Sequence, residues 1–291
     1  MLGLMGNLAA LVVLLWAGLA EAKDPPDVDA IKKLVAKEAK SLADGGDAKG
    51  VYTPQAQFAK TADPVAKSAE GVRVVDAPYV IEVKPSGIRV GLSRDGQSAW
   101  VTYSAETEVS CDSCSSFPGP TVRASELVVK VGGAWQVHAA LWSEGVADAK
   151  VNKAAKAGKP GTIEAVVDAS AGEASVRDAF TALLVKGFDP AVADNKELIG
   201  IGSAPKEMTV GGKVLVPFIN KKWVGNMTVK GPVLAIVAPS GTTAAVFGNV
   251  DLAKVDGKAK YTVPFRWFVV FDKDAAGAWV PAHVHFAVAS P

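Results

Sequence analysis

Two stretches decide the fold: SGIRVGLSRDGQSAWVTYSAE, residues 86–106, and KGPVLAIVAPSGTTAAVFGNV, residues 230–250. Each holds two apolar, β-branched runs split by a turn, Asp95-Gly96 in the first and Ser240-Gly241 in the second, which reads as a β-hairpin. The turns lie 145 residues apart, so one pattern is written twice. Downstream, TVRASELVVKVGGAWQVHAALWS (121–143) matches YTVPFRWFVVFDKDAAGAWVPAHVHFA (261–287), with Gly133-Ala134-Trp135 against Gly277-Ala278-Trp279 at a shift of 144. Upstream, Ile31, Leu34, Val35 and Leu42 form one apolar helical stripe, and Val176, Phe180, Leu183 and Leu184 form another. Ile31 plus 145 is Val176. Ser170 and Glu173 form a capping box before the second helix, and Gly45 and Gly187 are natural stops.

Each copy therefore reads as a helix, a variable middle and about four antiparallel strands. The strands fall near 87–93, 98–110, 121–131 and 134–143, then near 232–238, 243–252, 260–271 and 278–289. This is an α+β layout in which helices must cover one sheet face, and a long twisted sheet curls to leave a pocket at one end. The seam NKAAKAGKPGT, 152–162, reads as a linker. The expected division is 1–22, 23–150, a linker at 151–162, and 163–291. A single continuous eight-stranded sheet is the alternative.

The 291 residues are 49% hydrophobic and 21% charged, which excludes a disordered or collagen-like chain. Lys and Arg number 31 against 30 Asp and Glu, a net +1 that gives no bulk attraction to nucleic acid. Leu8–Ala20 is apolar and precedes Ala20-Glu21-Ala22, the layout of a secretory signal peptide cleaved after Ala22, although no Lys or Arg precedes it. The expected location is periplasmic or secreted, with no integral membrane domain, since later apolar runs are only strand length. In an oxidising compartment Cys111 and Cys114 read as a local disulfide, with metal binding and redox catalysis as alternatives.

The second copy carries ELIGIGSAPKEMTVGGKVLVPFINKKW, then VPFRWFVVF and GAWVPAHVHFA. It resembles the SnoaL-like branch of the nuclear-transport-factor-2 (NTF2) and ketosteroid-isomerase superfamily, in which a turn and a short helix precede four strands ending in Trp-x-x-x-His-x-His. The turn is Gly202 to Glu207, the helix Gly212 to Trp223, and the ending Trp279, His283 and His285. The first copy matches less fully, with Ala139 and Leu141 in place of the histidines. The resemblance implies two tandem NTF2-like cone-shaped domains, each with helices packed on a curved antiparallel sheet, the first degenerate. The isomerases of that superfamily use a buried Asp base and a Tyr/Asp oxyanion pair, and Tyr52, Tyr79, Tyr103 and Tyr261 supply no matching set at the level of sequence.

His283 and His285 share one strand face, with Val284, Phe286 and Val288 opposite. If that face is concave, they orient a ligand or move protons, with Glu207 as the pocket carboxylate; a satisfied core or rim is the structural alternative. Arg266 pairs with Glu207 or Asp251, or takes a ligand carboxylate beside Trp267. No metal or cofactor is expected: two histidines lack a third ligand fixed by spacing, and no phosphate-binding glycine pattern occurs. The first expectation is an exported, non-catalytic module binding a small hydrophobic ligand or an envelope protein, with sheet-to-sheet contact inside one chain and a monomeric protein. The alternative is an isomerase, dehydratase or hydrolase with His283 and His285 as acid–base groups in the second domain.

Overall fold

A computed structural model describes residues 24–43, 50–67, 80–111, 113–146, 150, 153, 158–164, 170–256 and 259–288. The proposed leader lies outside these residues, as do Tyr79 and much of the proposed linker.

The first unit opens with α1 (Pro26–Ala43). Its strands are β1 (Tyr52–Lys60), β2 (Ala66–Lys67), β3 (Val80–Leu92), β4 (Ser98–Cys111), β5 (Cys114–Pro118), β6 (Val122–Val131) and β7 (Ala134–Glu144). The second unit opens with α2 (Ala171–Lys186), where Ser170 and Glu173 do form a capping box, followed by a 3-10 turn (Pro190–Asp194). Next come β8 (Ile199–Ile201), β9 (Met208–Val210) and α3 (Gly212–Lys222). The meander β10 (Met227–Val237), β11 (Thr243–Asp256), β12 (Ala259–Lys273) and β13 (Trp279–Val288) completes it.

The strands form two sheets, not one: β2-β1-β7-β6-β4-β3 with β5 on β4, and β10-β11-β12-β13-β8-β9. The internal repeat is visible in the register. Tyr103 opposes Ala124 as Gly248 opposes Trp267, and Ala124 opposes Trp142 as Trp267 opposes Phe286. A bulge falls at His138 in β7 and at Ala282 in β13, positions 144 apart. In each unit the first strand pairs parallel with the last, β1 with β7 and β8 with β13.

Three apolar layers hold the molecule. Ile31, Leu34, Val35 and Ala39 of α1 pack on the inner face of the first sheet. Helices α2 and α3 cover the inner face of the second, around Phe180, Trp223, Trp267 and Phe286. The third layer lies between the sheets, where Trp100, Leu127, Ala139 and Leu141 meet Ile199, Ile201, Phe247, Phe268 and Val270. The expected intrachain pseudo-dimer is therefore present.

The cone shape is not. Each sheet path ends on open edges, and neither sheet is closed or strongly curled, so the cone-shaped NTF2-like expectation is corrected to two open sheet-plus-helix units. The physical reason is burial on both faces. A helix covers one face and the partner sheet covers the other, and tight curling would break the sheet-to-sheet contact.

Candidate functional site

The polar groups of the inner faces are all but confined to the first unit. Glu38 sits in the middle of the α1 stripe, on the turn after Leu34 and Val35, and is fully buried. On β6, Val122, Ala124 and Val128 face the helix, and Glu126 shares that face and is also fully buried. Between the two carboxyls stands the hydroxyl of Tyr103, 3.0 Å from Glu38 Oε2 and 2.8 Å from Glu126 Oε1. Tyr52 donates its hydroxyl to Glu38 Oε1 at 2.9 Å.

One tyrosine hydrogen cannot serve two carboxylates, so the pair holds a proton. Burial raises both carboxyls, Glu126 the further, because it also faces the charge of Glu38. Glu38 is eased downward by hydrogen bonds from Glu126, Tyr52 and Tyr103. The pair therefore holds one proton between its two carboxyls. Burial, then the facing carboxylates, pushes the Tyr103 hydroxyl well up, so it stays protonated and relays. Glu126 Oε2 and the indole N–H of Trp142 are buried without a well-formed partner, although they lie close enough to interact.

The corresponding positions of the second unit are apolar. Register places Gly248 where Tyr103 stands and Val269 where Glu126 stands, and the helix repeat puts Leu183 in the place of Glu38. A Cβ on Gly248 would lie 2.6 Å from the ring of Phe180, so that ring fills the space. Trp223, Phe265, Trp267 and Phe286 fill the rest, Trp223 and Phe286 with centroids 4.5 Å apart.

His283 and His285 face the other way, into the layer between the sheets. His285 Nδ1 is 2.8 Å from Ser125 Oγ and its Nε2 is 2.9 Å from Ser143 Oγ. His283 Nε2 is 2.7 Å from Ser125 Oγ, and its ring stacks on Trp100 at 5.3 Å. Burial lowers His283 to about 3. Burial, then Arg123 and His283, holds His285 well below the usual range, so both rings are neutral near pH 7. No hydrogen bond among the described residues joins either ring to a carboxylate. Glu207 is exposed and accepts from the amide of Ala204 at 3.1 Å, closing its own turn.

Arg266 and Trp267 occupy opposite faces of β12 and do not meet in one site. Arg266 donates to the carbonyls of Asp63 (3.2 Å), Lys60 (3.4 Å) and Gly161, and to Asn249 Oδ1 (2.9 Å). It pairs with neither Glu207 nor Asp251, and Asp251 instead pairs with Lys230 at 3.5 Å. Arg123, its counterpart, donates to the carbonyls of Gly202 and Ala204 (2.8 Å), to Ser143 Oγ (2.9 Å) and to the carbonyl of Glu144 (3.2 Å). Each arginine thus reaches into a turn of the other unit. Cys111 and Cys114 are joined as a disulfide at the β4–β5 turn. Among the described residues no cluster of His, Cys, Asp or Glu could hold a metal ion, and no helix is long and apolar enough to cross a membrane.

The histidines and Arg266 are legible from sequence as unusual residues on apolar strands. Glu38 and Glu126 carry the same signal, a carboxyl inside an apolar stripe, and are missed by following the family motif into the second copy instead.

No protein-family model matches the chain, and no curated protein does. Among solved structures it is similar to Aln2 from a Streptomyces species, at 17% identity and a TM-score of 0.38, over 45% of this chain and 97% of that one. It is also similar to ActVI-ORFA from Streptomyces coelicolor (13%, 0.35, 40% and 95%). An NTF2-like protein with a cystatin-like fold from Novosphingobium aromaticivorans is a third (14%, 0.34, 47% and 88%). Each match spans less than half of this chain and most of the other.

Proposed function

We propose that the chain is a small-molecule enzyme of the proton-transfer class, an isomerase or dehydratase, with Glu38, Tyr103 and Glu126 of the first unit as its acid–base groups. The observation that carries this is the single hydroxyl of Tyr103 between two fully buried carboxyls. Carboxyls whose surroundings push their proton affinities apart divide into a base and an acid. The expectation of a non-catalytic module rested on finding no base, and Glu38 supplies one.

Glu38 removes a proton from a carbon next to a carbonyl, and Glu126 gives its proton to the carbonyl oxygen, leaving an enol. Glu38 then returns its proton to a different carbon while ionised Glu126 takes back the enol O–H proton, which restores both groups and completes an isomerisation. In a dehydration, Glu126 instead protonates a departing hydroxyl on the β carbon. A C=C bond forms, and water leaves. In the dehydration Glu38 ends protonated and Glu126 ionised, and the Tyr103 hydroxyl, within hydrogen-bond distance of both, resets the pair by passing a proton across. The indole N–H of Trp142, beside Glu126, remains to donate to the substrate oxygen.

The test is solvent-deuterium incorporation at the α carbon of a panel of cyclic ketones, followed by NMR. The wild type should exchange well above buffer, and Glu38→Gln and Tyr103→Phe should each lower the rate by about 100-fold or more. Exchange at the buffer rate in wild type, or equal exchange in Glu38→Gln, overturns the proposal.

A further inference from the structure

Ser125 and Ser143 lie on neighbouring strands, β6 and β7, and His285 of the second unit bonds both from outside. One residue further along each strand backbone, Glu126 follows Ser125 and Trp142 precedes Ser143, with their side chains on the inner face. One set of donors and acceptors makes all of these bonds at once. Arg123 donates to Ser143 Oγ at 2.9 Å, which frees the Ser143 hydrogen for His285 Nε2. His285 then donates from Nδ1 to Ser125, and Ser125 donates to His283 Nε2. His283 Nδ1 and Arg123 Nε are left over, buried without a partner.

The chain runs one way between the units. The positions matching Ser125 and Ser143 in the second unit are Phe268 and Ala287, and the position matching His285 in the first is Leu141. The second sheet therefore braces the first and receives no such brace in return. The braced sheet is the one that carries the carboxyls. The register of β6 and β7 breaks a short way beyond the brace, between Leu127 and Val128.

We propose that His285 is a positioning residue: it clamps β6 to β7 through Ser125 and Ser143 and so fixes Glu126 and Trp142 relative to Tyr103 and Glu38. The second unit, apolar within, then serves as the rigid backing of the first. This rests on the acid–base reading of the Glu38–Tyr103–Glu126 cluster.

Two readouts on the full chain test it. The first is the infrared carbonyl band of protonated Glu126, assigned by its loss in Glu126→Gln and followed against pH. The second is the hydrogen-exchange rate of the Trp142 indole N–H. In His285→Ala the band should vanish at a pH at least one unit lower than in wild type, and indole exchange should rise about 10-fold. His285→Asn, whose amide can replace the Nδ1 donor to Ser125, should recover most of both. Ile201→Ala in the same layer is the control for loosening alone: it should lower the melting temperature and leave both readouts in place. If His285→Ala does not fold, Ser143→Ala removes one arm of the clamp and should shift both readouts in the same direction. A foldable His285→Ala or Ser143→Ala matching Ile201→Ala in both readouts overturns the clamp. A wild-type Glu126 that ionises in the ordinary carboxylate range removes the acid–base reading instead, and indole exchange still decides the clamp.

Discussion

At Tyr103 a single hydrogen has two claimants, and the carboxyl pair supplies a second by holding a proton. Removing the hydroxyl by Tyr103→Phe leaves Glu38 Oε2 and Glu126 Oε1 facing each other in a dry layer. A buried acceptor left unpaired costs about 1–3 kcal/mol, and that loss is expected here, read as a lower urea midpoint with an unchanged slope. Tyr52→Phe removes only one donor to Glu38 and should cost less, since Tyr103 still serves the same carboxyl. These roles were half legible in the sequence. Glu38 follows Val35 by three and precedes Leu42 by four, so it lies on the stripe that α1 buries. That it meets Glu126 and Tyr103, 88 and 65 residues away, is a matter of tertiary packing that no local pattern carries.

Helix α2 was readable to its capping box because its apolar residues sit on one side only, and the meanders were readable from their turns. The faces of β6 and β13 were not, for a physical reason. Both strands are buried on both sides, one side under helices and the other under the partner sheet, so period-two alternation between apolar and polar is lost. Period two correctly places His283 and His285 together and opposite Val284, and it cannot say which face is the outer one. Strand β1 was missed because its parallel pairing with β7 spans a long stretch of chain and shows no hairpin turn. The crossing arginines share that blind spot, since their acceptors are backbone carbonyls of the other unit. Arg123→Ala and Arg266→Ala should each destabilise the protein by about 1.5–3 kcal/mol in urea titrations, the worth of one hydrogen bond to a charged group taken as a minimum. Lysine at either position should restore little, because one ammonium cannot span acceptors that a planar guanidinium fork reaches together.

For the whole molecule, the buried titratable groups pull stability in opposite directions with pH. His283 and His285 are depressed in the folded state from 6.5, His283 to about 3, and burial lowers His138 as well. The unfolded chain therefore binds more protons as pH falls from about 6.5 toward 3, and stability drops by roughly 1.4 kcal/mol per pH unit for each such histidine. Glu38 and Glu126 are raised above 4.5, so the folded chain binds more protons there and stability falls as pH rises beyond 4.5. Between 4.5 and 6.5 the two effects offset. Below 4.5 the difference at Glu38 and Glu126 closes because both states are protonated, and the histidines act together with Asp95, lowered to about 2, and with Asp27 and Glu108, also lowered. The unfolding free energy should accordingly show a plateau near pH 5–6, an acid limb below 4.5 and a decline above 6.5. Urea titrations across this range on two variants separate the causes. Glu126→Gln should flatten the alkaline decline and leave the acid limb, whereas His283→Gln should reduce the steepness of the acid limb by one proton and leave the decline. An acid limb of unchanged slope in His283→Gln would show that His283 does not carry the acid lability of the sheet-to-sheet layer.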